Sequence, residues 1–326
     1  MFDTLRQFGH ERLASRNAGD LARTRHAVYF AELADRGLVE VFGPDQLRWH
    51  RLFELEQDSF RAALAWAVEI HDPSMLLRLA TGAAWFWMVR GQWSEGRRWL
   101  DRALSMTSSM TDRGVGEALF IAGALAWLLG DLGASRHCAE ACLRVAEEAV
   151  DEGLRSRALL NLGTLEQIRN DFAGAERSLH ECLRCARAAG DRWVQGRALD
   201  MLAAGALHSG TLEQAAAYLD ESASIARAAE DAWSLCISLN ARGDVARMRA
   251  RFGSLKSWYA ATRAPPYPAS ARMKLRGAAG SAVAVCPVPS VVAQAGVSST
   301  RTSTFSPAQE AARKMLSKSL APLSQA

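Results

Sequence analysis

Apolar residues recur along most of this chain at intervals of three and four, the spacing of one buried stripe on an α-helix. From Met75 onward that stripe is cut into helix-length segments by short turns: Gly91-Gln92-Trp93, Gly130-Asp131-Leu132, Asn170-Asp171-Phe172 and Gly210-Thr211-Leu212. The turns lie about 40 residues apart. A second element keeps the same interval, because Ala186-Arg187-Ala188-Ala189-Gly190-Asp191-Arg192-Trp193 is matched by Ala226-Arg227-Ala228-Ala229-Glu230-Asp231-Ala232-Trp233. A fixed period of this size marks stacked repeats, each too small to bury its own apolar face. The pattern predicts four helix pairs: Met75 to Arg90 with Ser94 to Met106, Val115 to Leu129 with Ala134 to Val150, Arg155 to Arg169 with Ala173 to Ala189, and Trp193 to His208 with Leu212 to Ala229. A fifth first helix follows over Trp233 to Ala250.

With the Gly or Asn of each turn set at repeat position 15, the other positions fall into register. Position 8 is Ala84, Gly123, Gly163, Ala203 and Gly243, a small residue where two helices cross closely. Position 20 is Gly96, Ser135, Ala175 and Ala215, and position 24 is Leu100, Ala139, Leu179 and Leu219. In this combination the residues resemble the tetratricopeptide repeat, over residues 76–252. The resemblance implies an all-α, right-handed superhelix of helix pairs, with helices about a turn longer than the usual 34-residue repeat provides. The register asks for a fifth turn at Ala250-Arg251-Phe252, but Leu255 then stands where a small residue belongs, and Pro265, Pro266 and Pro268 end any helix soon after. Residues 253–326 have no period, and disorder is the expectation for them, apart from a short helix at Pro307 to Ser319. Loss of the repeat coincides with sudden lysine and proline, which suggests a shifted reading frame near codon 252. Translating the other two frames tests that.

The first 75 residues are helical but outside the period. Helices are expected at Asp3 to Ser15, Gly19 to Arg36 and Pro44 to His71, the last with Pro44 in its first turn. The pieces Thr4-Leu5-Arg6-Gln7-Phe8, Arg25-His26-Ala27-Val28-Tyr29-Phe30, Gly43-Pro44-Asp45-Gln46 and Phe60-Arg61-Ala62-Ala63-Leu64-Ala65-Trp66-Ala67 are similar to a junction block of large bacterial signal-transduction ATPases, the MalT/LuxR-like and AfsR-like transcriptional regulators. In that family the block joins the nucleotide-binding module and winged-helix segment to a repeat sensor. The resemblance implies that residues 1–75 are such a junction and that the chain is a sensor region lacking the ATPase and DNA-binding domains.

Composition divides the chain at the same place. Overall it holds 39 Lys+Arg against 35 Asp+Glu, yet all four lysines lie beyond Phe252. The tail carries nine of the bases and one acid, Glu310, which leaves the first 252 residues acidic by four charges. Direct nucleic-acid binding is therefore not expected of the helical body. Its longest uncharged stretch, Ala118 to Gly130, is short of the roughly 20 residues a membrane span needs, and no secretory signal opens the chain, so a cytoplasmic location is expected. Cys142 and Cys182 share a repeat position with Ala103 and Ser222, a place for a small buried side chain, and a metal site or disulfide is not expected there.

Catalytic signatures are missing from the sequence. It has no phosphate-binding Gly-x-x-x-x-Gly-Lys-Ser/Thr string, no His-Glu-x-x-His and no Gly-x-Ser-x-Gly, so neither enzyme activity nor a cofactor is expected. Glu147, Glu148, Asp151 and Glu152 read as a solvated charge run. Function is expected in binding. Positions of the first helices that would face the concave side are Trp85 and Trp127 in the early pairs, Arg157, Thr164 and Gln167 in the third, Arg197, Asp200 and His208 in the fourth, and Asn240, Asp244 and Arg247 in the fifth. Arg157 and Arg197 stand one repeat apart as partners for carboxylates. The expected partner is a protein or peptide, or a small effector, with self-association through the repeats a further expectation. Two readings remain: the sensor part of a transcriptional regulator, and a freestanding peptide-docking adaptor.

Overall fold

The computed structural model describes residues 18–107 and 112–262, with side chains as far as residue 250. All regular structure among them is α-helical, in twelve helices. The first three form an amino-terminal block: α1 (Gly19–Glu40), α2 (Gln46–Leu55) and α3 (Gln57–Glu69). Four antiparallel pairs follow: α4 (Pro73–Val89) with α5 (Trp93–Met106), α6 (Arg113–Leu128) with α7 (Leu132–Glu148), α8 (Glu152–Ile168) with α9 (Phe172–Ala189), and α10 (Arg192–Ser209) with α11 (Leu212–Ala228). The last helix, α12 (Ala232–Thr262), is the unpaired first helix of a fifth unit. Each first helix packs on the next, α4 on α6, α6 on α8, α8 on α10 and α10 on α12. The chain is therefore an all-α helical repeat.

Eight junctions are built alike. A left-handed residue ends one helix: Gly91, Gly130, Asn170 and Gly210 within the pairs, and His71, Val150, Gly190 and Glu230 between units. The amide of the next residue then donates to the carbonyl five positions back, as from Asp131 to Ala126 and from Asp191 to Ala186, both Schellman closures. That next residue is usually an aspartate whose carboxylate accepts from the amide three positions on and so caps the following helix. Asp72, Asp131, Asp151, Asp171, Asp191 and Asp231 do this in six of the eight junctions. These caps start the first helices one to three residues earlier than the apolar stripe suggests. They also correct the reading of Asp151 as part of a solvated charge run, since it caps α8 and pairs with Arg113.

The small positions do what their spacing implies. A Cβ added at Gly163 would sit 2.7 Å from Leu179, one at Gly96 3.1 Å from Trp87 and Leu125, and one at Gly123 2.9 Å from Asn161. At Gly243 the nearest atom is 3.7 Å away and belongs to its own helix, as expected where no second helix crosses. The position shared by Cys142, Cys182 and Ser222 carries more than small size. Cys142, Cys182 and Ser222 donate to the carbonyls of Gly116, Ser156 and Gly196, the same bond one repeat apart each time. Burial pushes the Cys142 thiol up to about 12, which fits a hydrogen-bonded core group and not a reactive one.

Two boundaries differ from the sequence reading. Pro44 to His71 is not one helix: it breaks at Glu56 (φ −100°, ψ 13°) into α2 and α3. The break brings Phe53 and Phe60 to 4.8 Å between ring centroids, whereas seven residues of straight helix span about 10.5 Å. Both rings thereby reach one core. The turn expected at Ala250-Arg251-Phe252 does not form, and α12 runs through it to Thr262. The expected helix at Asp3 to Ser15 and the tail from residue 263, with its expected helix at Pro307 to Ser319, lie outside the described residues.

Candidate functional site

The amino-terminal block packs against α4, the first helix of the first pair. Helix α1 packs against α4 so closely that a Cβ at Gly82 would fall 2.5 Å from the Ala34 carbonyl oxygen and 2.5 Å from its Cβ. The segment after α1 then reaches the other end of the array. Phe42 forms a triangle of rings with two indoles, 4.6 Å from Trp85 and 4.9 Å from Trp193 between centroids, and those indoles meet edge to face at 5.0 Å.

Beyond Phe42, the buried Gln46 makes a clasp. Its amide nitrogen donates to Asp231 Oδ1 and to the Val41 carbonyl, both at 3.0 Å, and its oxygen accepts from the Trp233 amide at 3.1 Å. Asp231 is held in turn by Ser234, through the amide at 3.0 Å and the hydroxyl at 2.5 Å. Gln46 and Asp231 are 185 residues apart. The first-helix face is thus closed upon itself where a simple superhelix would leave it open.

Closure leaves a cavity of about 620 Å³, within the range of sites for drug-sized ligands. Its apolar wall is Leu38 and Val39 at the end of α1, Leu77 of α4, Trp193 of α10 and Ile225 of α11. Its polar wall is a chain of ion pairs across three units. Arg157 bridges Glu117 at 3.1 Å and Asp191 at 2.8 Å, Arg113 joins Glu117 to Asp151, and Arg78 pairs with Asp35 at 3.0 Å through Nε. The Arg157 guanidinium also lies 5.4 Å from the Phe120 ring centroid. Burial raises the Glu117 pKa above the usual carboxylate range, with Arg157 and Arg113 opposing the shift.

The residues expected on the concave side divide. Arg157 lines the cavity, and Trp85 packs on Phe42, another of its lining residues. Arg197 and Asp200 pair with each other at 3.1 Å, and Asp200 is only 6 % exposed. It accepts from Ser238 of α12 at 3.0 Å, in a network that continues to Ser222 at 2.9 Å. Burial raises the pKa of Asp200, against the pull of Arg197. Arg157 and Arg197 are therefore both engaged by carboxylates of the chain itself. Thr164 donates to the Leu160 carbonyl of its own helix and Gln167 to the Met201 carbonyl, tying α8 to α10. His208 stacks on Phe172 at 3.8 Å. Asp244 and Arg247 pair with each other, Asn240 is exposed and Trp127 is half-buried, none of them at the cavity.

Phe42, Gln46, Glu117, Asp191, Trp193 and Asp231 are site residues that reading the sequence missed. Asp191 and Asp231 carried a signal in the aspartates spaced about 40 apart before each first helix. Phe42 and Gln46 carried none, since they lie outside the repeat.

No helix among the described residues is long and apolar enough to cross a membrane. No family model matches the chain, and no curated protein matches it either. Among solved structures the chain is similar to the crystal structure of BtubC (BKLC) from P. vanneervenii, at 17 % identity and a TM-score of 0.46, covering 66 % of this chain and 92 % of that one.

Proposed function

We propose that this chain is a non-enzymatic binding module that takes a small effector in its cavity, as the sensing section of a bacterial transcriptional regulator of the signal-transduction ATPase type. The observation that carries the effector part is the half-open cavity of about 620 Å³ between the end of α1, Phe42 and the first helices. An extended peptide laid along the first helices, as the adaptor reading requires, meets Phe42, packed on Trp85 and Trp193, in its path. A compact molecule does not. The regulator part is supported by the order of the sequence pieces, a junction-like block directly followed by tetratricopeptide-like pairs.

Two experiments test the two parts separately. A small-molecule screen by thermal shift, with Ile225→Trp as a filled-cavity control, should return ligands that raise the melting temperature of the wild type and not of the variant. Equal shifts in both proteins overturn the effector reading. Sequencing the flanking DNA should find an adjoining frame for a Walker-type ATPase or a helix-turn-helix domain, and its absence overturns the regulator reading.

A further inference from the structure

Among the described residues α12 is a first helix without its second, and the face left bare is the one a second helix would cover. In the pair before it, Leu199, Ala203 and Ala206 of α10 are 0 %, 1 % and 8 % exposed, and the two alanines pack in one cluster with Ala215 and Leu219 of α11. One period later the same places hold Leu239, 47 % exposed, Gly243, with no neighbouring helix near its Cβ position, and Ala246, exposed. The opposite side of α12 is the one already in use. Ser238 and Val245, both fully buried, meet α10 and α11 there.

We propose that a second copy of this chain covers this face, the two α12 helices lying antiparallel about a two-fold axis at Gly243, each serving as the missing second helix of the other. The face is complementary to itself when turned end for end. At about 100° and 1.5 Å per residue, Leu239 lies about 6 Å before Gly243 and Ala246 about 4.5 Å after it, both to one side of the stripe, while Asn240 and Arg247 lie at about the same two heights on the other side. A two-fold axis perpendicular to the helices reverses height and keeps side. Each large Leu239 therefore meets the small Ala246 of the second copy, and each Asn240 meets Arg247 of the second copy. At the centre Gly243 meets Gly243, where the missing side chains let the helices approach as closely as they do within a pair. Charge does not oppose the contact, because Arg247 is paired with Asp244 and Arg242 with Asp220 within each copy. The cavity stays clear of it, since Ser234, the residue of α12 on the cavity wall, lies on the far side of the helix from Gly243. One helix face per copy is less than a standard interface, so the dimer should dissociate on dilution.

Sedimentation velocity of the full chain between about 1 and about 100 µM tests the pairing, and the dimer should grow with concentration. Ala246→Glu changes an exposed residue of a helix, so the dilute monomer should keep its melting temperature, while two buried charges per dimer should raise the dissociation constant at least about tenfold. A cross-link fixes the register. With Cys236 and Cys286 replaced by serine, the double variant Leu239→Cys, Ala246→Cys should oxidise to a covalent dimer. Its two cysteines are about 10.5 Å apart along one helix, too far to bridge within a chain. Leu239→Cys alone should not link, because the two copies of that residue lie about 12 Å apart along the paired helices. A chain that stays monomeric throughout overturns the proposal and leaves the face to a different partner. A dimer indifferent to Ala246→Glu lies elsewhere on the molecule, and a dimer in which Leu239→Cys links alone has another register; either overturns the proposal as well.

Discussion

The junctions between helices and the segment Val41 to Gln46 solve opposite problems. Each junction joins neighbours in sequence, with the same two residues eight times over: a left-handed step and, in six cases, an aspartate cap. The Val41 to Gln46 segment joins the two ends of the array once, through contacts that repeat nowhere else. Local, repeated bonds make the array, and one long-range contact makes its cavity. A repeat protein in which each unit touches only its neighbours has no reason to close. Closure here depends on a non-repeated block with an aromatic ring and an amide in the right places.

Separating these two contributions gives a graded series of expectations. The largest effect should come at the close crossing of α1 and α4, where Gly82→Ala drives a methyl into Ala34 backbone and should cost about 3 kcal/mol in chemical denaturation. The loss should fall on the amino-terminal block first, visible as earlier exposure of Trp49 and Trp66 than of the indoles in the repeats. Equal loss throughout would mean that block and array unfold as one.

Gln46→Leu comes next, at about 2 kcal/mol, since it leaves the Trp233 amide unpaired and strips one partner from Asp231. If closure is as described, it should also loosen ligand binding. An unchanged affinity would separate the clasp from the cavity.

On the repeated side, Val150 adopts φ 51° while 87 % exposed, a strained backbone for a β-branched residue with no packing to compensate. Val150→Gly should stabilise the protein by about 1 kcal/mol and leave binding untouched. A loss of stability would show that the junction does not need the left-handed step.

The smallest effect is one of pH. Asp200 has its folded pKa raised by burial, so its contribution is fully present below the unfolded value of about 3.9 and is lost as pH rises through the folded value. Stability of Asp200→Asn relative to wild type should therefore increase as pH is raised from about 4 towards neutrality. A difference that stays flat over that range would mean that Asp200 ionises in the folded state as it does in the unfolded one.

What could be read from the sequence follows the same division. Gly91, Gly130, Asn170 and Gly210 announced their turns because glycine and asparagine tolerate the left-handed conformation. Val150, His71 and Glu230 adopt the same conformation without announcing it, and the regularly spaced aspartates beside them went unread as caps. The break at Glu56 was hidden because the apolar stripe continues through it and only the packing of Phe53 on Phe60 requires the bend. Arg157 was legible as a recurring basic position, but Glu117 and Asp191, which engage it from neighbouring units, were not. The clasp was illegible in principle, because nothing local in Gly43-Pro44-Asp45-Gln46 specifies a contact 185 residues away.

Closure of the array is the central claim, and the Trp233 amide reports it most directly. It lies in the first turn of α12, where a helix leaves its amides without partners of its own, and its bond is to Gln46. Native-state hydrogen exchange should find this amide protected about as well as that of Ser234, which Asp231 holds, and should find its protection lost in Gln46→Leu while that of Ser234 remains. Exchange of the wild-type Trp233 amide at the rate of an unstructured chain, or protection unchanged in Gln46→Leu, would contradict a closed array.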